Sequence, residues 1–120
     1  MTAAFAAGAA SAARALGYRH VAELIECDDG LDAEGVVNLF SLGNCKTRWR
    51  DAALILLAGS VARHRSQPEG WSSEPERELV LDLLRQHGIS DAQFKNIAKR
   101  ASALVVKTWP QIAAILREGA

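Results

Sequence analysis

Residues 48–65 read RWRDAALILLAGSVARHR, and every position from Ala52 through Ala58 is apolar. A helix that is apolar all round, not along one stripe, has to be enclosed on all sides. At about 1.5 Å per residue, Ala52 to Ala62 spans about 16 Å, whereas a bilayer core of about 30 Å takes roughly 20 apolar residues. The stretch therefore predicts a buried central helix over about 45–65 and not a membrane span. The flanking sequence is amphipathic at helical spacing on both sides. The expected fold is all-α, one domain over 1–120 with six to seven helices around that central one.

The chain has 120 residues, with 14 Lys and Arg against 14 Asp and Glu. This is the size of one domain, enough to bury about two-thirds of the surface that the unfolded chain exposes. A formal net charge of zero gives no overall field toward nucleic acid or anionic lipid, so any such binding has to come from a local patch. Cys27 and Cys45 show neither a CxxC nor a Cys/His metal spacing, which points to reduced thiols in a cytoplasmic protein. The opening MTAAFAAGAASAA contains Ala10-Ser11-Ala12, an A-x-A pattern. No Lys or Arg precedes the run, however, and alanine is a weak h-region residue, so a helix of the mature fold is expected.

That first helix is expected over 3–16, capped by Thr2, with Phe5, Ala9, Ala12 and Leu16 on one face. Ala4, Gly8 and Ala12 repeat every four residues beside it, a pattern that lets another helix approach closely. Within the chain this is tight packing; between two chains it would be a homodimer seam. Gly17 is expected as a left-handed cap, followed by a second helix to about Cys27 with Tyr18, Val21, Leu24 and Ile25 inward. The acidic loop after it has Ala33 and Leu39 where a calcium loop needs Gly and Glu. Asp32 is better read as the cap of a third helix over 33–42 that buries Val36, Leu39 and Phe40.

Asn44 then caps the central helix, where Lys46, Arg48 and Arg50 crowd the positive end of the dipole. Each is unfavourable there by about 0.3–1 kcal/mol unless an anion stands nearby. These three residues form a candidate anion- or partner-binding site, unless Asp28, Asp29, Asp32 or Glu34 neutralises them from within. Residues 66–73 form a loop with Pro68 and Gly70 as breakers, and Trp71 in it is a candidate partner anchor.

Ser73 and Glu76 make a capping box for a fifth helix that buries Leu79, Val80, Leu83 and Leu84 and ends at Gly88. Ser90 and Gln93 make a second box, with Ile89 stapled to Phe94. The sixth helix buries Phe94, Ile97, Ala98, Ala101, Leu104 and Val105. Pro110 is expected to end it or bend it into a last short helix. Residues 80–99, VLDLLRQHGISDAQFKNIAK, resemble a helix-turn-helix DNA-binding unit. Gly88 takes the turn, Leu83, Ile89, Phe94 and Ile97 the packing positions, and residues 90–96 the start of the recognition helix. The resemblance implies nucleic-acid contacts from Ser90, Gln93, Lys95, Asn96, Lys99 and Arg100. Leu84 and His87 depart from it, because the close helix crossing wants alanine and the other position an apolar residue.

His20, His64 and His87 lie on three separate helices, without HExxH, a paired Glu-x-x-His or a Gly-rich phosphate loop. No catalytic residue, metal site or cofactor is therefore expected. The sequence reads as a small non-enzymatic protein that binds another protein as a regulator, adaptor or inhibitor. The alternative is a DNA-binding transcriptional regulator acting through 80–99.

Overall fold

In a computed structural model of the chain, residues 3–27, 35–38, 46–66 and 74–118 are described. They form α1 (Ala3–Ala15), α2 (Arg19–Cys27), α3 (Lys46–Ser66), α4 (Glu74–Gln86) and α5 (Asp91–Glu118). Residues 35–38 are helical as well, and no strand occurs among the described residues. The fold is all-α.

The central helix is α3. Every residue from Ala52 to Ser60 is buried, with Ile55 and Leu56 fully so. Its enclosure comes from α1 on one side and α5 on another, while α4 touches it more lightly. The basic residues of its last turn, Arg63, His64 and Arg65, sit where the helix dipole favours cations. The Arg65 guanidinium also lies 4.8 Å from the centroid of the Trp109 ring on α5, which ties the end of α3 to that helix.

The first helix differs from its one-faced expectation. Ala4, Phe5, Ala7, Ala9, Ala10, Ser11, Ala12 and Ala13 are all buried, so α1 is a second enclosed helix. Alanine makes this possible: a helix bearing single methyl groups is slender, and α2, α3 and α5 can close around it. Its tightest approach is to α3. A β-carbon on Gly8 would meet the Ala58 carbonyl oxygen at 2.8 Å, and one on Gly59 would meet the Phe5 ring at 2.9 Å. Of the two readings of the Ala4, Gly8 and Ala12 repeat, the packing within the chain is the one seen. That face is consumed inside one chain, because only glycine lets the two backbones come this near.

Both expected glycine caps form the same structure. At the end of α1, the Tyr18 amide donates to the Ala13 carbonyl (2.8 Å) and the Gly17 amide to the Arg14 carbonyl (3.1 Å). At the end of α4, Ile89 donates to Leu84 (3.0 Å) and Gly88 to Arg85 (3.1 Å). These paired bonds satisfy the last carbonyls and need a left-handed residue. Gly17 and Gly88 supply it, with φ of 91° and 83°. Across the first cap, the Tyr18 hydroxyl donates to the Asp51 carboxylate of α3, and Arg14 pairs with Glu26 to hold α2 on α1.

The long final helix departs from its expected break, since α5 runs unbroken through Pro110. Proline removes one amide donor and crowds the carbonyl four residues earlier, here that of Val106. Both Val106 and Pro110 are exposed, so the proline lies on the solvent side of the helix. In α4 the inward set is narrower than expected: Val80 and Leu84 are buried, but Leu79 is 48% exposed. The helix rests mainly on α3 alone, which covers one stripe. Leu24 of α2 is likewise exposed, while Ala22 and Ile25 take the inner face. Val36 and Val37 are buried. Leu39 and Phe40, the caps at Asp32, Asn44 and Ser73, and Cys45 lie outside the described residues.

Candidate functional site

From Ala92 to Arg117 the sequence holds five basic residues, Lys95, Lys99, Arg100, Lys107 and Arg117, and no Asp or Glu. Phe94, Ile97, Ala101, Val105 and Ile112 turn into the core at helical spacing, which forces the basic residues outward. All five are exposed. Apolar groups lie among them: Ala92, Ala103 and Val106 are exposed too, Val106 by 59%. The face is thus cationic and amphipathic.

One edge of this face borders an open groove of about 310 Å³ where α5 meets the end of α1 and the middle of α3. Leu16, Leu54, Ala103 and Leu104 form its apolar lining, and Arg100 and Lys107 flank it. Residues 100, 103, 104 and 107 follow the i, i+3, i+4, i+7 spacing of a single helix face, so the two cations bracket the apolar pair along the helix. Arg50 is exposed one turn before Leu54 on the same face of α3.

The residues expected to read DNA are divided by the structure. Ser90 and Gln93 are engaged with each other: the Ser90 amide donates to Gln93 Oε1 (2.8 Å) and the Gln93 amide to Ser90 Oγ (3.2 Å). This is the expected capping box. Lys95, Asn96, Lys99 and Arg100 are exposed. Asp91, in the first turn, accepts from Arg85 Nε at 3.0 Å and Arg85 Nη2 at 3.1 Å. That arginine holds the Asp91 carboxyl below its ordinary range. The hairpin is fixed by this pair and by the cap, because α4 and α5 themselves hardly approach one another and each leans on α3 instead. Leu84, where a close crossing needs alanine, is fully buried.

His87, the other departure from that pattern, has a structural explanation. Its ring stacks on Trp49 of α3, with centroids 3.7 Å apart and planes 14° from parallel. Trp49 is buried at the start of the central helix, between two cationic positions. Arg50 is exposed, whereas the side chains of Lys46 and Arg48 and the whole of Trp71 lie outside the described residues, as do Asp28, Asp29, Asp32 and Glu34.

Among the described residues no three His, Cys, Asp or Glu side chains gather into a group that could hold a metal ion. Cys27 is a free, exposed thiol at the end of α2. No helix of the described residues is long and apolar enough to cross a membrane.

Arg117 and the groove were not among the residues singled out from the sequence. The acid-free run 92–117 was the available signal, and it needed only a charge count taken segment by segment. The groove had no such signal, because its lining comes from three helices far apart in the chain. No protein-family model, curated protein or solved structure matches this chain.

Proposed function

We propose that this chain is a small cytoplasmic binding protein that acts by holding another protein, as a regulator, adaptor or inhibitor, without chemistry of its own. The observation that carries the reading is the outward face of α5, where between the terminal Asp91 and Glu118 five basic residues with no acid among them alternate with exposed apolar ones. An excess of positive charge on one side of a neutral protein steers and orients an acidic partner, and the interspersed apolar groups give that partner something to bury. A partner surface rich in carboxylates is the complement.

DNA binding by 80–99 is the second reading, favoured by the exposure of Lys95, Asn96, Lys99 and Arg100. It ranks behind because Ser90 and Gln93 are spent on the helix cap and Asp91 sits at the tip that would enter a groove. The two helices also approach one another less closely than each approaches α3, whereas the helices of a helix-turn-helix pack on each other.

Affinity capture from cells that express the chain separates the two. A protein should be retained by the wild type and lost with Lys95→Glu plus Lys99→Glu, and nuclease treatment should leave it in place. Retention that nuclease abolishes would favour DNA; retention indifferent to the charge reversal would refute the α5 face.

A further inference from the structure

We infer that the groove between α1, α3 and α5 receives one face of an acidic amphipathic helix from the partner protein, with an apolar side chain as anchor between two carboxylates. The inference rests on the protein-binding reading above and names the form of the partner. Arg100 and Lys107 are seven residues apart, two turns and about 10.5 Å along α5. A partner helix lying along α5 repeats at the same pitch. It places acidic side chains at i and i+7 against the two cations and an apolar one at i+3 or i+4 over Ala103 and Leu104. Helix-in-groove recognition uses this same spacing of anchors.

Volume and charge choose this occupant. At about 310 Å³ the groove is at the lower limit of small-molecule sites, which run from about 300 to 1,000 Å³, and it is open along α5. It suits one or two side chains of a continuous element more than an enclosed ligand. The lining is apolar, with Leu54 of α3 buried at its base, so a phosphate backbone would find charge only at the rim and nothing to pair with at the floor. An apolar anchor flanked by acids satisfies both.

The probe is a dye-labelled synthetic helix carrying Glu-x-x-Leu-x-x-x-Glu on one face, titrated against the full chain by fluorescence anisotropy. Saturable binding is expected. It should weaken by about tenfold or more with Leu→Ala in the peptide or Ala103→Glu in the protein. Ala103 is exposed, so that variant should melt as the wild type does. Arg100→Glu with Lys107→Glu should abolish binding of this peptide and restore binding of one in which both glutamates are lysine. Binding that survives Ala103→Glu, a reversed pair that does not recover, or tighter binding to anionic phospholipid vesicles or to a duplex oligonucleotide would each overturn the inference. If the peptide fails while capture in cells still depends on Lys95 and Lys99, the groove is refuted and the protein-binding reading stands. If capture is also independent of those lysines, both fall.

Discussion

A β-carbon added to Gly8 would collide with the β-carbon of Ala62, so α1 and α3 are as near to each other as glycine allows. In an open helix, Gly→Ala gains up to about 1 kcal/mol. Here the nearby Ala58 carbonyl is backbone and cannot swing aside, so the helices must part and the change costs about 1–3 kcal/mol instead. Gly8→Ala is therefore expected to lower the denaturation midpoint, and Gly59→Ala to do the same against the buried Phe5. An unchanged or raised midpoint in both would mean that the crossing is looser than described.

The enclosure of α3 gives a second expectation. Leu56 is fully buried among residues that are themselves buried, so Leu56→Ala leaves a cavity that cannot collapse, at about 2–5 kcal/mol. Chemical denaturation of the variant beside the wild type measures it.

The central helix was legible because an apolar run without polar interruption has one physical reading, and the caps at Gly17, Gly88 and Ser90 because their chemistry is local. The burial of α1 was harder to read. Alanine is weakly hydrophobic, and Phe5, Ala9, Ala12 and Leu16 already satisfied a one-faced pattern; full burial depends on how closely α2, α3 and α5 approach, which pattern does not encode. Pro110 is harder to read for a related reason: whether a proline ends a helix depends on the packing that holds the turns on either side of it, here Val105 and Ile112 in the core. The groove is a product of tertiary packing, with Leu16, Leu54 and Leu104 meeting across long separations in sequence.

Trp49 and His87 provide a test of the contact between α3 and the end of α4. Stacked aromatic pairs are worth about 0.5–1.5 kcal/mol beyond their area. A double-mutant cycle with Trp49→Leu and His87→Ala should return a coupling of about that size, because the two rings are in direct contact. Zero coupling would mean the two rings do not meet in solution.

The Arg85 and Asp91 pair makes a pH-dependent contribution whose sign is fixed. Hydrogen bonding from Arg85, then its charge, holds the Asp91 carboxyl below its ordinary range. A carboxyl whose folded pKa lies below its unfolded value binds fewer protons when folded. Its stabilisation is thus complete above the unfolded value, about 3.9, and is lost as pH falls through the folded one. Asp91→Asn should melt earlier than the wild type at neutral pH, with the gap closing as pH drops below about 4. Since both groups are exposed, added salt should narrow the gap at neutral pH as well. A gap that widens in acid would contradict the assignment.

The central functional claim is that partners meet the outer face of α5. It is tested most directly by placing a photo-crosslinking residue at Ala103, in the groove lining, or at Leu79, another exposed apolar position, on α4, in cells that express the chain. The account expects a protein adduct from position 103 that disappears with Lys95→Glu plus Lys99→Glu, and none from position 79. The same adduct from position 79 and none from 103 would contradict it.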